Sequence, residues 1–273
     1  MTALHCGKFL LSLERPLIMG IVNLTPDSFS GDGLASQRDA ALDQAWRMLE
    51  AGADLLDLGA ESSRPGALPT SETDELERLL PLLDALRDCG KPLSIDTYKP
   101  AVMRAALDRG ADMINDIYAF RMPGAFDAVA HSDCALCLMH MQGEPQTMQE
   151  QPQYGDVTAE VRTFLAGRIE AARGAGIAAE RLLLDPGFGF GKTLAHNVEL
   201  YRRFPDCLPE GFPALVGVSR KSMLGAITGR PVSERLAASI TAALVAVQRG
   251  ARIIRVHDVA ETRDALAVWD ALR

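Results

Sequence analysis

The chain has 273 residues, 48% of them hydrophobic and 23% charged, a balance that excludes general disorder and suits one large globular domain. Its formal charge of −8 argues against a broad nucleic-acid surface, which needs a basic excess, but leaves room for a local cationic pocket. No apolar run approaches the roughly 18 residues of a membrane span and the first residues lack a secretory pattern, so the expectation is a cytoplasmic protein with no membrane or nucleic-acid partner.

Short apolar runs bounded by polar or glycine signals recur along the chain, and each reads as a buried strand. They cover residues 17–24, 55–59, 93–96, 113–117, 135–140, 182–185, 214–218 and 253–256. Helical periodicity fills the spaces between them, over residues 40–50, 72–87, 101–109, 158–173, 233–249 and 261–272. Ser71 or Thr70 precedes an acidic first turn of Glu72, Asp74 and Glu75, while Gly52, Gly90, Gly110 and Gly250 follow final turns. Helix, glycine stop, short link and buried strand form half of a parallel unit. Eight such units predict an α/β fold, a single (β/α)8 TIM barrel over residues 1–273. A doubly wound sheet would use the same units, but with fewer strands and a glycine-rich first turn.

The five cysteines, Cys6, Cys89, Cys134, Cys137 and Cys207, are scattered and form no disulfide framework. Cys134 and Cys137 have C-x-x-C spacing, but positions three apart on a strand face opposite sides, which disfavours a shared metal or a redox pair. Buried structural cysteine is the better reading.

Polar residues gather where the apolar runs end. These are Asn23, then Glu61 with Ser62, Ser63 and Arg64, then Asp96, Asn115 with Asp116, His140, Asp185, Ser219 with Arg220 and Lys221, and Arg255 with His257. In a parallel barrel these ends share one rim, where active sites sit. A single one would be read as a cap on the next helix; eight together point to a site. Asp96, Asn115 and Asp185 suit the donors and acceptors of a heterocycle. Ser63, Arg64, Lys221, Arg255 and His257 suit phosphate or carboxylate oxygens. Asn23 offers an oxygen to Mg²⁺, with substrate phosphates supplying others. Residues 187–193 end like a phosphate-binding loop, but Pro186 stands where its first glycine belongs. That segment is expected to be a flexible rim loop, with Phe190 able to stack on a flat substrate.

Several segments resemble those of the dihydropteroate synthase family. They include the stretch from Ile18 to Ser30, the hexapeptide from Glu61 to Gly66, Ser94-Ile95-Asp96-Thr97, Ile114-Asn115-Asp116 and Leu138-Met139-His140-Met141. The run from Asp185 to Thr193, Ser219-Arg220-Lys221-Ser222 and Arg255-Val256-His257-Asp258 continue the series in order. The resemblance implies a (β/α)8 barrel, usually a homodimer, that joins 6-hydroxymethyl-7,8-dihydropterin diphosphate to 4-aminobenzoate and releases pyrophosphate. Sulfonamides mimic the aminobenzoate in that family. By motif, Asn23 would ligand Mg²⁺, and Ser63, Arg255 and His257 would hold the diphosphate. Asp96, Asn115, Asp185 and Lys221 would surround the pterin, together with Met139. Phe29, Pro65, Phe190, Arg220 and Ser222 would line the aminobenzoate side, with Arg64 among the substrate contacts. The catalytic set implied is Asp96, Asp185, Lys221, Arg255 and His257.

Two departures from the family pattern are visible. Ser63 stands where Thr is common, and residues 30–33 read Ser-Gly-Asp-Gly, with the glycine and aspartate order altered. Neither removes a needed group. Residues 28–33 and 63–66 carry little apolar surface and are expected to be mobile without ligand. Two other readings remain open on the residues alone: a methyltetrahydrofolate:corrinoid methyltransferase and a non-catalytic pterin-binding barrel. The first has no use for the first two motifs; the second could dispense with Asn23 or Arg255.

Overall fold

The structure, a computed structural model, describes residues 2–24, 34–62 and 66–272. An antiparallel hairpin, β1 (Ala3–Cys6) and β2 (Phe9–Ser12), opens the chain. Strands and helices then alternate: β3 (Leu17–Asn23), α1 (Leu34–Glu50), β4 (Leu55–Gly59), α2 (Glu72–Leu86), β5 (Leu93–Asp96), α3 (Pro100–Leu107) and β6 (Met113–Asp116). After these come α4 (Ala125–Val129), β7 (Ala135–Met139), α5 (Val157–Gly174), β8 (Leu182–Asp185) and α6 (Leu194–Arg202). The chain finishes with β9 (Leu215–Val216), α7 (Ser222–Thr228), α8 (Leu236–Gln248), β10 (Ile253–Val256) and α9 (Val259–Leu272). The eight strands β3 to β10 form one parallel sheet, in the order β8-β7-β6-β5-β4-β3-β10-β9. A parallel bridge between Leu184 and Ala214 joins the two ends, so the sheet closes into a barrel.

Alternation along each strand divides the core in two. Ile18, Leu56, Ile95, Ile114, Leu136, Leu184 and Ile254 pack outward against the helices. Leu17, Met19, Leu55, Met113, Ala135, Cys137, Leu183, Leu215 and Ile253 pack inward and fill the N-terminal half of the barrel. Each large apolar side chain so buried contributes about 1.5–3 kcal/mol. Cys134 belongs to the outer cluster and Cys137 to the inner, so the C-x-x-C thiols lie on opposite faces of the sheet wall. Local signals act as expected at α2, where Ser71 caps the helix by accepting from the Asp74 N–H at 3.1 Å.

The hairpin is absent from the sequence reading, and it plugs the base of the barrel. Leu4, Cys6 and Leu13 join the inner cluster. The Gly7 N–H donates to Asp133 O at 2.9 Å, and Gly7 adopts φ +58° where a Cβ would lie 2.5 Å from Asp112 Oδ1. Helices α4, α6 and α7 are also additional; α4 has five residues, too few to show a period. Over residues 233–249, a short 3₁₀ turn (Val232–Glu234) comes first and α8 starts only at Leu236.

Candidate active site

The inward-facing positions change character along the barrel. Below they are apolar; one step toward the strand C-termini they become Asp57 on β4, Ser94 and Asp96 on β5, Asn115 on β6, Asp185 on β8 and Arg255 on β10. Asp57 is fully buried. Its Oδ2 accepts from Arg255 Nε at 2.6 Å and from Asn115 Nδ2 at 3.0 Å. Arg255 also donates through NH2 to Asp96 Oδ2 at 2.8 Å. Residues from four strands are thus tied into one network beneath the rim.

Charge follows this geometry. Burial pushes Asp96 up to about 7, with Arg255 opposing and Asp57 adding to the rise. Burial works against the Arg255 charge, but Asp57 and Asp96 outweigh it and hold the guanidinium firmly protonated. The Asp185 carboxyl is raised by burial, against the pull of Lys221. Lys221 is pushed down to about 8 by its own burial, with Asp185 opposing.

The loop after β8 frames the opposite wall. Asp185 Oδ1 accepts the Gly187 N–H at 2.7 Å, so this carboxylate also steadies its own turn. Lys221 Nζ donates to Phe188 O and sits 4.6 Å from the centroid of the Phe190 ring. Phe190 packs with Met139, Ile117, Met141 and Met148 as an apolar shelf at the rim. The expectation of a flexible loop is corrected here. A Cβ on Gly187 would lie 1.8 Å from His140 O, and one on Gly191 would lie 2.2 Å from Gln142 O. The loop therefore lies tightly against residues 140–142, and two positive-φ glycines make that approach sterically possible.

The remaining predicted residues fall into three groups. His257 Nδ1 lies 3.0 Å from Ser219 Oγ, at the rim between β9 and β10. Arg220 is exposed, has φ +60°, and bonds Asp258 through Nε at 3.2 Å; Ser222 opens α7 beside it. Asn23 ends β3, opposite Gly59 in the register. Phe29, Ser63, Arg64 and Pro65 lie outside the described residues. Two polar strand-end residues turn away from the barrel interior, because each lies one position from an inward neighbour. Asp116 is fully buried and accepts the N–H groups of Tyr118 and Phe120, both at 2.7 Å. His140 packs edge-on against Phe164 on α5, ring centroids 4.9 Å apart. Glu61 accepts from Tyr98 OH at 2.9 Å and pairs with Lys99, which also pairs with Glu75.

Asp57 was not among the residues singled out from the sequence, yet a signal for it exists. Asp57 lies inside the apolar run Leu-Leu-Asp-Leu-Gly, and Arg255 lies inside Ile-Ile-Arg-Val. A buried charge needs a partner, and two stranded opposite charges in one barrel are candidates for each other. Across β3, Arg255 aligns with Met19 and Asp57 with Ile21, two residues apart and on the same face.

The closed parallel barrel carries a polar, charge-networked C-terminal rim, the place where barrel enzymes bind substrate, and a family model described as Pterin binding enzyme matches residues 19–257. The dihydropteroate synthase of Neisseria meningitidis serogroup B is 50% identical, over 98% of this chain and 96% of that protein. Among solved structures, the Burkholderia cenocepacia dihydropteroate synthase complexed with 7,8-dihydropteroate is 57% identical, covers 100% of this chain and 96% of its own, and superposes with a TM-score of 0.92. The Xanthomonas albilineans dihydropteroate synthase with 4-aminobenzoic acid is 50% identical, covers 99% and 98%, and gives a TM-score of 0.94. The chain belongs to the dihydropteroate synthase family.

Proposed function

We propose that this chain condenses 6-hydroxymethyl-7,8-dihydropterin diphosphate with 4-aminobenzoate, giving 7,8-dihydropteroate and pyrophosphate. The observation that carries the reading is the buried network of Asp57, Asp96, Asn115 and Arg255, which places acceptors for a heterocycle beside a fixed cation. Similarity to synthases solved with dihydropteroate and with 4-aminobenzoic acid supports it.

The residues then divide the work by charge. Asp96, Asn115, Asp185 and Lys221 surround the pterin, with Met139 against it. Loss of diphosphate leaves a cation on the pterin methylene, and Asp96 and Asp185 favour that positive charge in their ionised forms, which for Asp96 means above about pH 7. Arg255 and His257, with Ser63, favour the departing pyrophosphate. A guanidinium has five donors, so the two bonds to Asp57 and Asp96 leave capacity for an anion. The neutral amine of 4-aminobenzoate attacks the cation, and the acidic anilinium so formed gives its proton to water or to the departing pyrophosphate; no strong base is needed, so His257 serves as an anion donor. Phe29, Arg64, Pro65, Phe190, Arg220 and Ser222 line the aryl side.

Among the described residues no three His, Cys, Asp or Glu side chains gather to hold a metal. That donor set fits Mg²⁺ only as an ion whose oxygens come mainly from the diphosphate and water, with Asn23 adding one neutral ligand. When bound, Mg²⁺ supplies charge neutralisation at the leaving group. No helix among the described residues is long and apolar enough to cross a membrane; the proposal places the enzyme in the cytoplasm as a homodimer. The test is pyrophosphate release from purified protein, Mg²⁺, the pterin diphosphate and 4-aminobenzoate. No release, or release without formation of 7,8-dihydropteroate when 4-aminobenzoate is present, refutes the reading.

A further inference from the structure

The segment that ends Gly191-Lys192-Thr193 imitates a phosphate loop, but its polarity is reversed. In a phosphate cradle, backbone N–H groups converge on the anion. Here they are used internally. Gly187 N donates to Asp185 Oδ1 at 2.7 Å, Gly189 N to Asn197 Oδ1 at 2.7 Å, and Phe190 N to Gly187 O at 3.1 Å. The carbonyls face donors instead. Phe188 O accepts from Lys221, Gly189 O from Gln149, and Gly191 O from Tyr154 OH at 2.7 Å.

Two further carbonyls, Phe190 O and Gly187 O (the latter also accepting the Phe190 N–H), converge on Lys192. This lysine is 3% exposed and turns away from solvent. Its Nζ donates to Gly187 O at 2.8 Å and to Phe190 O at 3.0 Å, and lies 2.9 Å from His140 Nδ1. Burial holds the His140 pKa down to about 2, with Lys192 adding to the effect, so the ring is neutral and free to accept at Nδ1. Burial also lowers Lys192 to about 7, with Asp185 opposing, so its charge is marginal near neutrality; what the geometry fixes is one nitrogen within 3.0 Å of three neutral acceptors, with His140 O at 3.5 Å beside them. The two loop carbonyls belong to residues on either side of the turn. Gly187 is bonded to Asp185, and Phe190 carries the ring on the apolar shelf.

We propose that Lys192 is a positioning residue for the reaction: by gathering Gly187 O and Phe190 O on one nitrogen, it fixes the Asp185 carboxylate and the Phe190 ring relative to each other. It thereby sets the distance between the pterin and the arylamine that must attack it. The inference rests on the dihydropteroate synthase reading, and wild-type turnover separates the two. If wild type releases no pyrophosphate, the reading itself is overturned and this inference with it.

With active wild type, Lys192→Met removes all three donors while keeping an unbranched side chain. The expected result, measured well below the melting temperature, is a KM for 4-aminobenzoate raised about tenfold and a kcat lowered about tenfold, the scale of a sub-ångström misplacement of reacting groups. Lys192→Gln keeps two N–H donors for the two carbonyls, and it should recover part of both losses while remaining measurably impaired. A lysine that only supports the fold predicts a lower Tm with unchanged constants. A folded Lys192→Met protein with wild-type kcat and KM overturns the proposal. Should that variant not fold, Lys192→Gln with wild-type constants overturns it equally.

Discussion

Replacing Asp57 with asparagine perturbs the buried network at a carboxylate where two of its bonds meet. The carboxylate is fully buried, and one oxygen serves both Arg255 Nε and Asn115 Nδ2. The amide keeps the shape but removes the charge opposite the guanidinium. Breaking a buried ion pair by removing one partner costs about 3–5 kcal/mol, because the other charge stays buried. Two features of the structure refine that figure. Arg255 keeps Asp96 at 2.8 Å, which argues for the lower end. Asp57 Oδ1 is buried without a hydrogen-bond partner, so an amide nitrogen placed there would find no acceptor. We therefore expect a loss of about 3 kcal/mol. At about 2–4 °C per kcal/mol for a chain of this size, Tm should fall by about 6–12 °C. Arg255 and Asn115 also lose their common tether, so the KM for the pterin diphosphate should rise about tenfold, the effect of one charge-assisted hydrogen bond. Thermal melting and steady-state kinetics on the same sample measure both. A Tm within about 2 °C of wild type, together with unchanged KM, would refute the claim that Asp57 organises the site.

Asp185→Asn should lower kcat by about 10² or more with only a small change in Tm, since an amide oxygen can still accept the Gly187 N–H; wild-type turnover would sink the assigned role. Arg255→Ala should raise the concentration of pyrophosphate needed to protect the protein thermally by more than it weakens a diphosphate-free pterin, which also suffers because Asp96 and Asp57 lose their cation. Equal weakening of both ligands would mean that Arg255 serves the barrel and not the anion. The raised Asp96 pKa makes a signed prediction. Between the ordinary carboxylate range and about 7, the folded protein holds a proton that the unfolded chain has released. Stability should therefore fall as pH rises through that window. Asp96→Asn should flatten the slope of Tm against pH there, and parallel slopes in the two proteins would show that another group titrates.

The barrel was legible because eight buried strands leave a periodic trace that no loop obscures, and because Gly52, Gly110 and Gly250 stop their helices just before a strand. The rim was legible for the same reason: a strand that ends in Asp96 or Asp185 announces its C-terminus. What the sequence reading lacked was the facing of each residue. Asn115 and Asp116 look equivalent in a row of letters, yet one donates to Asp57 inside the barrel and the other caps a turn outside it. His140 was grouped with the rim and instead meets Lys192 behind it. The loop at 187–193 read as flexible because glycines are permissive. Here they permit close packing, and only the three-dimensional position of His140 O and Gln142 O reveals it. The hairpin stayed hidden because its partner surface is the base of the barrel, more than a hundred residues away in sequence.

That base has a consequence for synthesis. Leu4, Cys6 and Leu13 leave the ribosome before any of the surface that covers them. Their hairpin bonds to Asp112 and Asp133 and packs on the turn Ala179–Arg181. Leu17, Met19 and Leu55 of the same cluster follow early, but the shelter is complete only once residues 179–183 and then Leu215 and Ile253 have emerged, so these apolar side chains stay partly uncovered through most of synthesis. A hairpin made early in this barrel is thus enclosed late, because the strands that complete its floor lie toward the other end of the chain.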